Sequence, residues 1–160
     1  MASAQPRRGV TYALPGRVAA MLLGAAALAC GSPGPSPIAF GQVACEHCHM
    51  TIADPRFAAE LVTRTGKVYP FDDAGCLATF AVSGPVGPER VHSVWVTDFR
   101  HPGTFIPAQD ALFLRTAQVR TPMGSNLLAV PRAAGDSLRA ALGGTLLDWG
   151  QVLAAARAPA

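Results

Sequence analysis

Cys45-Glu46-His47-Cys48-His49-Met50 puts two thiols, two imidazoles and a thioether within six residues. Four chemistries draw on such a set. Cys45-x-x-Cys48-His49 has the attachment pattern of a c-type haem, with His49 as one axial ligand and a downstream methionine such as Met123 as the other. The residues that follow, however, read as a hairpin and one helix, with little to wrap a porphyrin. A thioredoxin-like redox pair also uses Cys-x-x-Cys, but its attacking cysteine sits at a helix N-terminus reached from a strand. Val43-Ala44 is short for that strand, and Pro55 argues against the helix. Zn2+ held by Cys45, Cys48, Cys76 and a histidine has suitable ligand types, yet gives Met50 no role. Cu(I) is soft and accepts two or three thiolate or thioether ligands. In an extended segment Cys48 and Met50 project to one face and His49 to the other, which makes Cys48-x-Met50 a two-point soft clamp. A third sulfur is available from Met123, set at a turn by Pro122 and Gly124. Its competing role is that of core filler.

The elements that position these groups follow from hydrophobic periodicity. Phe57–Thr63 and Lys67–Phe71 read as strands joined by a turn at Arg64-Thr65-Gly66. Asp72-Asp73 start a helix that runs to about Ser83, with a carboxylate as N-cap. Leu77, Phe80 and Ala81 mark its buried face. Cys76 falls one turn into that helix, either buried as a small apolar side chain or paired with Cys45 in a disulfide. Residues 90–99 form the next strand. A similar order returns downstream, with strands at Ala111–Val119 and Asn126–Val130, a helix at Ala133–Leu142, a short strand at Thr145–Leu147 and a last helix at Trp149–Ala156. The fold class is therefore α+β, with two successive strand-strand-helix-strand halves in one small domain.

Of the 160 residues, half are apolar and 14% charged, and the formal net charge is +3. All of that excess comes from Arg7, Arg8 and Arg17, because the ten basic and ten acidic residues after position 29 cancel. A basic nucleic-acid-binding surface is not indicated. The apolar run Val18–Ala29 suits the core of an export signal and is short for a membrane span. Ala27-Leu28-Ala29-Cys30-Gly31-Ser32 resembles a lipobox, which would make Cys30 a lipidated N-terminus. The alternative is an ordinary cleaved signal in which Cys30 has no part. Ser32–Pro37 reads as a stiff tether without capacity to pack. The expected organisation is a signal at 1–29, a lipidated Pro/Gly-rich tether at 30–40, and a functional domain at 41–160 facing the extracytoplasmic space.

Four stretches together resemble the NosL family, accessory proteins of nitrous oxide reductase. They are Cys45–Asp54, Arg56–Glu60, Phe71-Asp72-Asp73-Ala74-Gly75-Cys76 and Pro122-Met123-Gly124-Ser125-Asn126. The resemblance implies a periplasm-facing lipoprotein that binds Cu(I) and delivers it to the copper centre of nitrous oxide reductase. It also implies two related halves with copper held between them and released by a modest opening. Carried onto this sequence, the ligands are Cys48 and Met50 from the first half and Met123 from the second, with Cys45 as a fourth. His49 is expected to point away, and His92 and His101 stand without partners. Asp72-Asp73 read as a helix cap rather than a catalytic pair. No nucleophile–base pair, phosphate loop or dinucleotide fingerprint is present in the sequence. The expectation is a carrier, not an enzyme.

Overall fold

The computed structural model describes residues 32–158, so the signal segment and Cys30 lie outside the described residues. The first half contains β1 (Ala59–Thr63), β2 (Val68–Phe71), α1 (Ala74–Ser83), β3 (Val91–Thr97) and β4 (Phe105–Pro107). The second contains β5 (Ala111–Arg115), β6 (Leu127–Pro131), α2 (Gly135–Leu142), β7 (Thr145–Leu147) and α3 (Trp149–Arg157). Two antiparallel sheets result, ordered β2-β1-β3-β4 and β6-β5-β7. In each, the first strand of the half sits between the second and third, so the repeated strand-strand-helix-strand order is also a repeated topology. The turn between β1 and β2 carries Gly66 at φ 84°, the left-handed conformation that glycine adopts at no steric cost.

Both halves feed one core. Leu61, Phe71, Leu77, Phe80 and Val96 from the first meet Phe113, Leu127 and Val152 from the second. A second cluster under α2 gathers Leu114, Leu128, Val130 and Leu138, with Phe57 reaching in from ahead of β1. Alternation along β5 and β6 therefore buries both faces of that sheet, which is why Leu127-Leu128-Ala129-Val130 is continuously apolar. Helix α3 packs on α1 and opens with a capping box, in which Asp148 accepts from Gln151 N–H and the Gln151 side chain accepts in return from Asp148 N–H.

The segment expected to stand off as a tether instead lies on the domain. Ser36 N–H donates to Glu60 Oε2 at 2.8 Å, and Pro33, Gly34 and Pro35 are half-buried. Proline leaves few backbone donors there. The one at Ser36 meets a buried acceptor on β1, and that contact fixes the strap.

Candidate metal centre

The stretch around the cysteine pair closes on itself. Ala44 and Thr51 form an antiparallel bridge. Within it, Cys45 N–H donates to Met50 O at 2.8 Å and His49 N–H to Cys45 O at 3.0 Å. His49 has φ 62°. The extended geometry that would set Cys48 and Met50 on one face is thus replaced by a turn, because a closed loop this short satisfies its backbone groups only by reversing. Cys48 is half-buried in the turn, Cys45 is fully buried beneath it, and Met50 is 59% exposed. Glu46 N–H donates to Pro70 O at 2.9 Å, which pins the turn to the end of β2.

Two residues beyond β2, Asp73 caps α1 by accepting from Cys76 N–H at 2.9 Å. The cap places Cys76 in the first helical turn, facing the pinned loop. One ligand atom each from Cys45, Cys48, Asp72 and Cys76 then lie within 4.8 Å of one another. All three cysteines are free thiols, so the disulfide alternative is not the one found. Their proton affinities diverge. The neighbouring Cys76 thiol holds Cys45 below the ordinary thiol range against the opposing effect of burial. The same contact, with burial and the nearby Asp72, pushes Cys76 far up. Burial is the main cause that lifts Cys48 to about 11. Its Sγ donates to Asp72 Oδ2 at 3.3 Å.

The second half supplies the opposite wall. Asp73 Oδ2 accepts from Thr121 Oγ1 at 2.8 Å, Ser125 Oγ at 3.0 Å and Met123 N–H at 3.3 Å. Thr121 Oγ1 in turn accepts from Asn126 N–H. Gly75 keeps the two walls close, since a Cβ there would lie 2.5 Å from Ser125 Cβ. Between them is an open cavity of about 300 Å³ lined by His47, Cys48, Asp73, Cys76, Met123 and Ser125, among others. Met123 is 46% exposed, and with Met50 it stands out among the described residues as a large hydrophobic side chain left in solvent. Such an exposed thioether does not fill a core.

Of the four expected ligands, Cys45 and Cys48 bring their sulfurs within 4.8 Å of each other, Cys48 and Met123 both line the cavity, and Met50 is exposed and does not line it. Sequence reasoning gave Asp72 a capping role, counted Cys76 as a ligand only in the zinc reading, and passed over His47. The available signal was Asp72-x-x-x-Cys76 straddling a helix start, a spacing that returns both side chains to one side of the cap. Covalent haem requires both cysteine sulfurs to reach a porphyrin edge, and Cys45 is fully enclosed. His92 Nδ1 lies 3.1 Å from Ser93 Oγ, and His101, expected to be alone, pairs with Asp98 Oδ2 at 2.7 Å. Neither lines the cavity.

A family model described as NosL matches residues 37–156. Among solved structures, the crystal structure of the copper chaperone NosL from Shewanella denitrificans is similar in fold, with a TM-score of 0.63 and 22% identity. The match covers 76% of this chain and 96% of that one. No curated protein matches the chain.

Proposed function

Because the chain belongs to the NosL family, we propose that it is a Cu(I) carrier whose cargo binds at Cys48 and Met123, with Met50 and Cys45 as further donors. The observation that carries this reading is the meeting of sulfur from two sequence-distant loops. A cysteine cluster from the first half faces an exposed methionine that Asp73 holds in place from the second. Thiolate and thioether donors at low coordination number suit Cu(I). The half-open position suits transfer, because an incoming donor can replace Met123 before Cys48 lets go. On this reading Cys30 carries the lipid, residues 30–40 connect it to the domain at 41–160, and the cavity faces the periplasm. The recipient is nitrous oxide reductase or a related cuproenzyme, whose copper centre is assembled from the delivered ion. The protein itself is a carrier and not an enzyme.

The test is an anaerobic Cu(I) titration of the reduced full chain against a coloured Cu(I) chelator. One equivalent should be withheld from the chelator and lost in Cys48→Ser. Failure of the wild-type chain to compete for any Cu(I) would sink the carrier reading.

A further inference from the structure

Asp72 is buried at 2% exposure. Its Oδ2 accepts from Cys48, and its Oδ1 has no hydrogen-bond partner. Among the described residues no lysine, arginine or histidine pairs with it. A buried carboxylate oxygen left without a donor is costly. One oxygen of this carboxylate lies within 4.8 Å of three thiols, which bring no compensating positive charge. We infer that Cys45, Cys48, Cys76 and Asp72 form an inner tetrahedral site for Zn2+ or a similar divalent d10 cation. It overlaps the cargo position at Cys48 and Cys45 and leaves out the thioethers.

Ligand number, ligand type and charge select the dication. Three thiolates and a carboxylate fill a closed four-coordinate set of the kind that structural Zn2+ adopts. Cu(I) uses two or three soft donors and has no need of the carboxylate. Zn2+ also cancels two of the four negative charges in a mostly buried position, where Cu(I) cancels one. The geometry is close to preformed. With Zn–S bonds of about 2.3 Å, tetrahedral ligands stand about 3.8 Å apart, so a set already within 4.8 Å closes by about 1 Å or less. Both supports are fixed, one by the pinned turn and the other by the Asp73 cap. Binding sends the thiol protons to solvent.

Because Cys48 belongs to both sets, the two metals exclude each other there. Cu(I), the softer ion, displaces Zn2+ when cargo arrives. Until then Zn2+ keeps three adjacent thiols coordinated and unavailable for disulfide formation. This competition rests on the copper reading, but the inner site does not.

The experiment is an anaerobic titration of the reduced full chain with Co2+ as a spectroscopic stand-in, followed by displacement with Zn2+. One equivalent should give the visible bands of a tetrahedral thiolate site, with a charge-transfer intensity corresponding to three sulfurs. Asp72→Asn should weaken binding tenfold or more. Cys76→Ala, checked for folding by circular dichroism, should reduce the sulfur count to two, and Met123→Leu should keep the Co2+ spectrum while losing Cu(I) affinity. Cu(I) added to Zn2+-loaded protein should release one Zn2+ per chain. A wild-type chain that takes Cu(I) but neither Co2+ nor Zn2+ overturns the inner site and leaves the copper reading standing. A Co2+ spectrum indifferent to both Asp72→Asn and Cys76→Ala overturns it as well, since the ligands then lie elsewhere. A chain that binds Co2+ as described and ignores Cu(I) retains the inner site and loses the carrier function.

Discussion

Glu60 is fully buried on β1, opposite Pro70 on one neighbouring strand and Trp95 on the other, with Ser36 as its hydrogen-bond partner. Burial outweighs the Ser36 contacts and raises its carboxyl above the ordinary value. The sign follows from linkage. A carboxyl whose folded pKa is raised adds stability that is fully present below the unfolded value of about 4.3, and loses it as pH rises through the folded value. Glu60→Gln should therefore stabilise the protein at pH 7, on the order of 1 kcal/mol. The advantage should vanish in denaturant melts below about pH 4, where Glu60 is itself protonated. A variant no more stable than wild type at pH 7 would mean that the Ser36 contacts outweigh desolvation. At the metal centre, the exposures and the cavity wall rank the thioethers. Met123→Leu should cost more Cu(I) affinity than Met50→Leu, by roughly the tenfold that 1.4 kcal/mol represents, in parallel chelator competitions. Residue type alone singled out Cys48 and Met123, which the structure sets on one cavity, because few roles other than soft-metal binding account for such a set. Asp72 was hidden because Asp72-Asp73 before an apolar run is equally a capping signal, and Asp73 does cap. The extended backbone expected through Cys48 and Met50 was misread because the left-handed His49 is not announced by the glycine or asparagine that usually occupies such a position.

At the scale of elements, Asp73 joins the start of α1 to the 121–126 loop. One oxygen caps the helix while the other receives three donors from the loop. Asparagine has a single acceptor oxygen, so Asp73→Asn can serve the helix or the loop but not both. The expected cost is about 1–3 kcal/mol of stability. Cu(I) affinity should fall toward that of Met123→Leu, and the double variant should be little weaker than either single one. Additive losses in that cycle would mean that Asp73 does not act through Met123. Gly75→Ala tests the same junction by crowding, since its Cβ would meet Ser125. Overpacking of this kind costs about 1–3 kcal/mol, read as a lower denaturant midpoint. The main strands and helices were legible because their periodicity and caps are local signals. The strand β4 was missed for the opposite reason. Phe105-Ile106-Pro107 is three residues long and becomes a strand only by pairing with Trp95, Val96 and Thr97, a tertiary fact without a local trace. The early end of β5 is tertiary in the same way. Arg115 is its last residue, and the Thr116 hydroxyl donates to Leu142 O at the end of α2, so the strand expected to reach Val119 stops short.

Over the whole molecule, the repeated halves suggest two bodies that part to free the cargo, but the core opposes that motion. Leu77, Phe113, Leu127 and Val152 belong to one buried cluster, and Phe99 N–H from the first half donates to Ala129 O on β6 at 2.8 Å. Separating the halves would expose that cluster to water at about 25 cal/mol for each Å² of apolar surface, a cost close to global unfolding. Calorimetry should therefore show a single transition with equal calorimetric and van't Hoff enthalpies. Phe113→Ala should lower that one transition by about 3–5 kcal/mol without splitting it. On the proposed carrier reading release is then local, with the 121–126 loop as its place, because the attachment of that loop is a few hydrogen bonds to Asp73 rather than core burial. Hydrogen exchange separates the two motions. In the metal-free chain the amides of Met123 and Gly124 should exchange through low-energy openings, those of Phe113 and Leu128 only through global unfolding. Cu(I) should slow the first pair far more than its effect on overall stability requires. Equal slowing at all four amides would point to cargo that clamps whole halves, and the loop would lose its role as the gate.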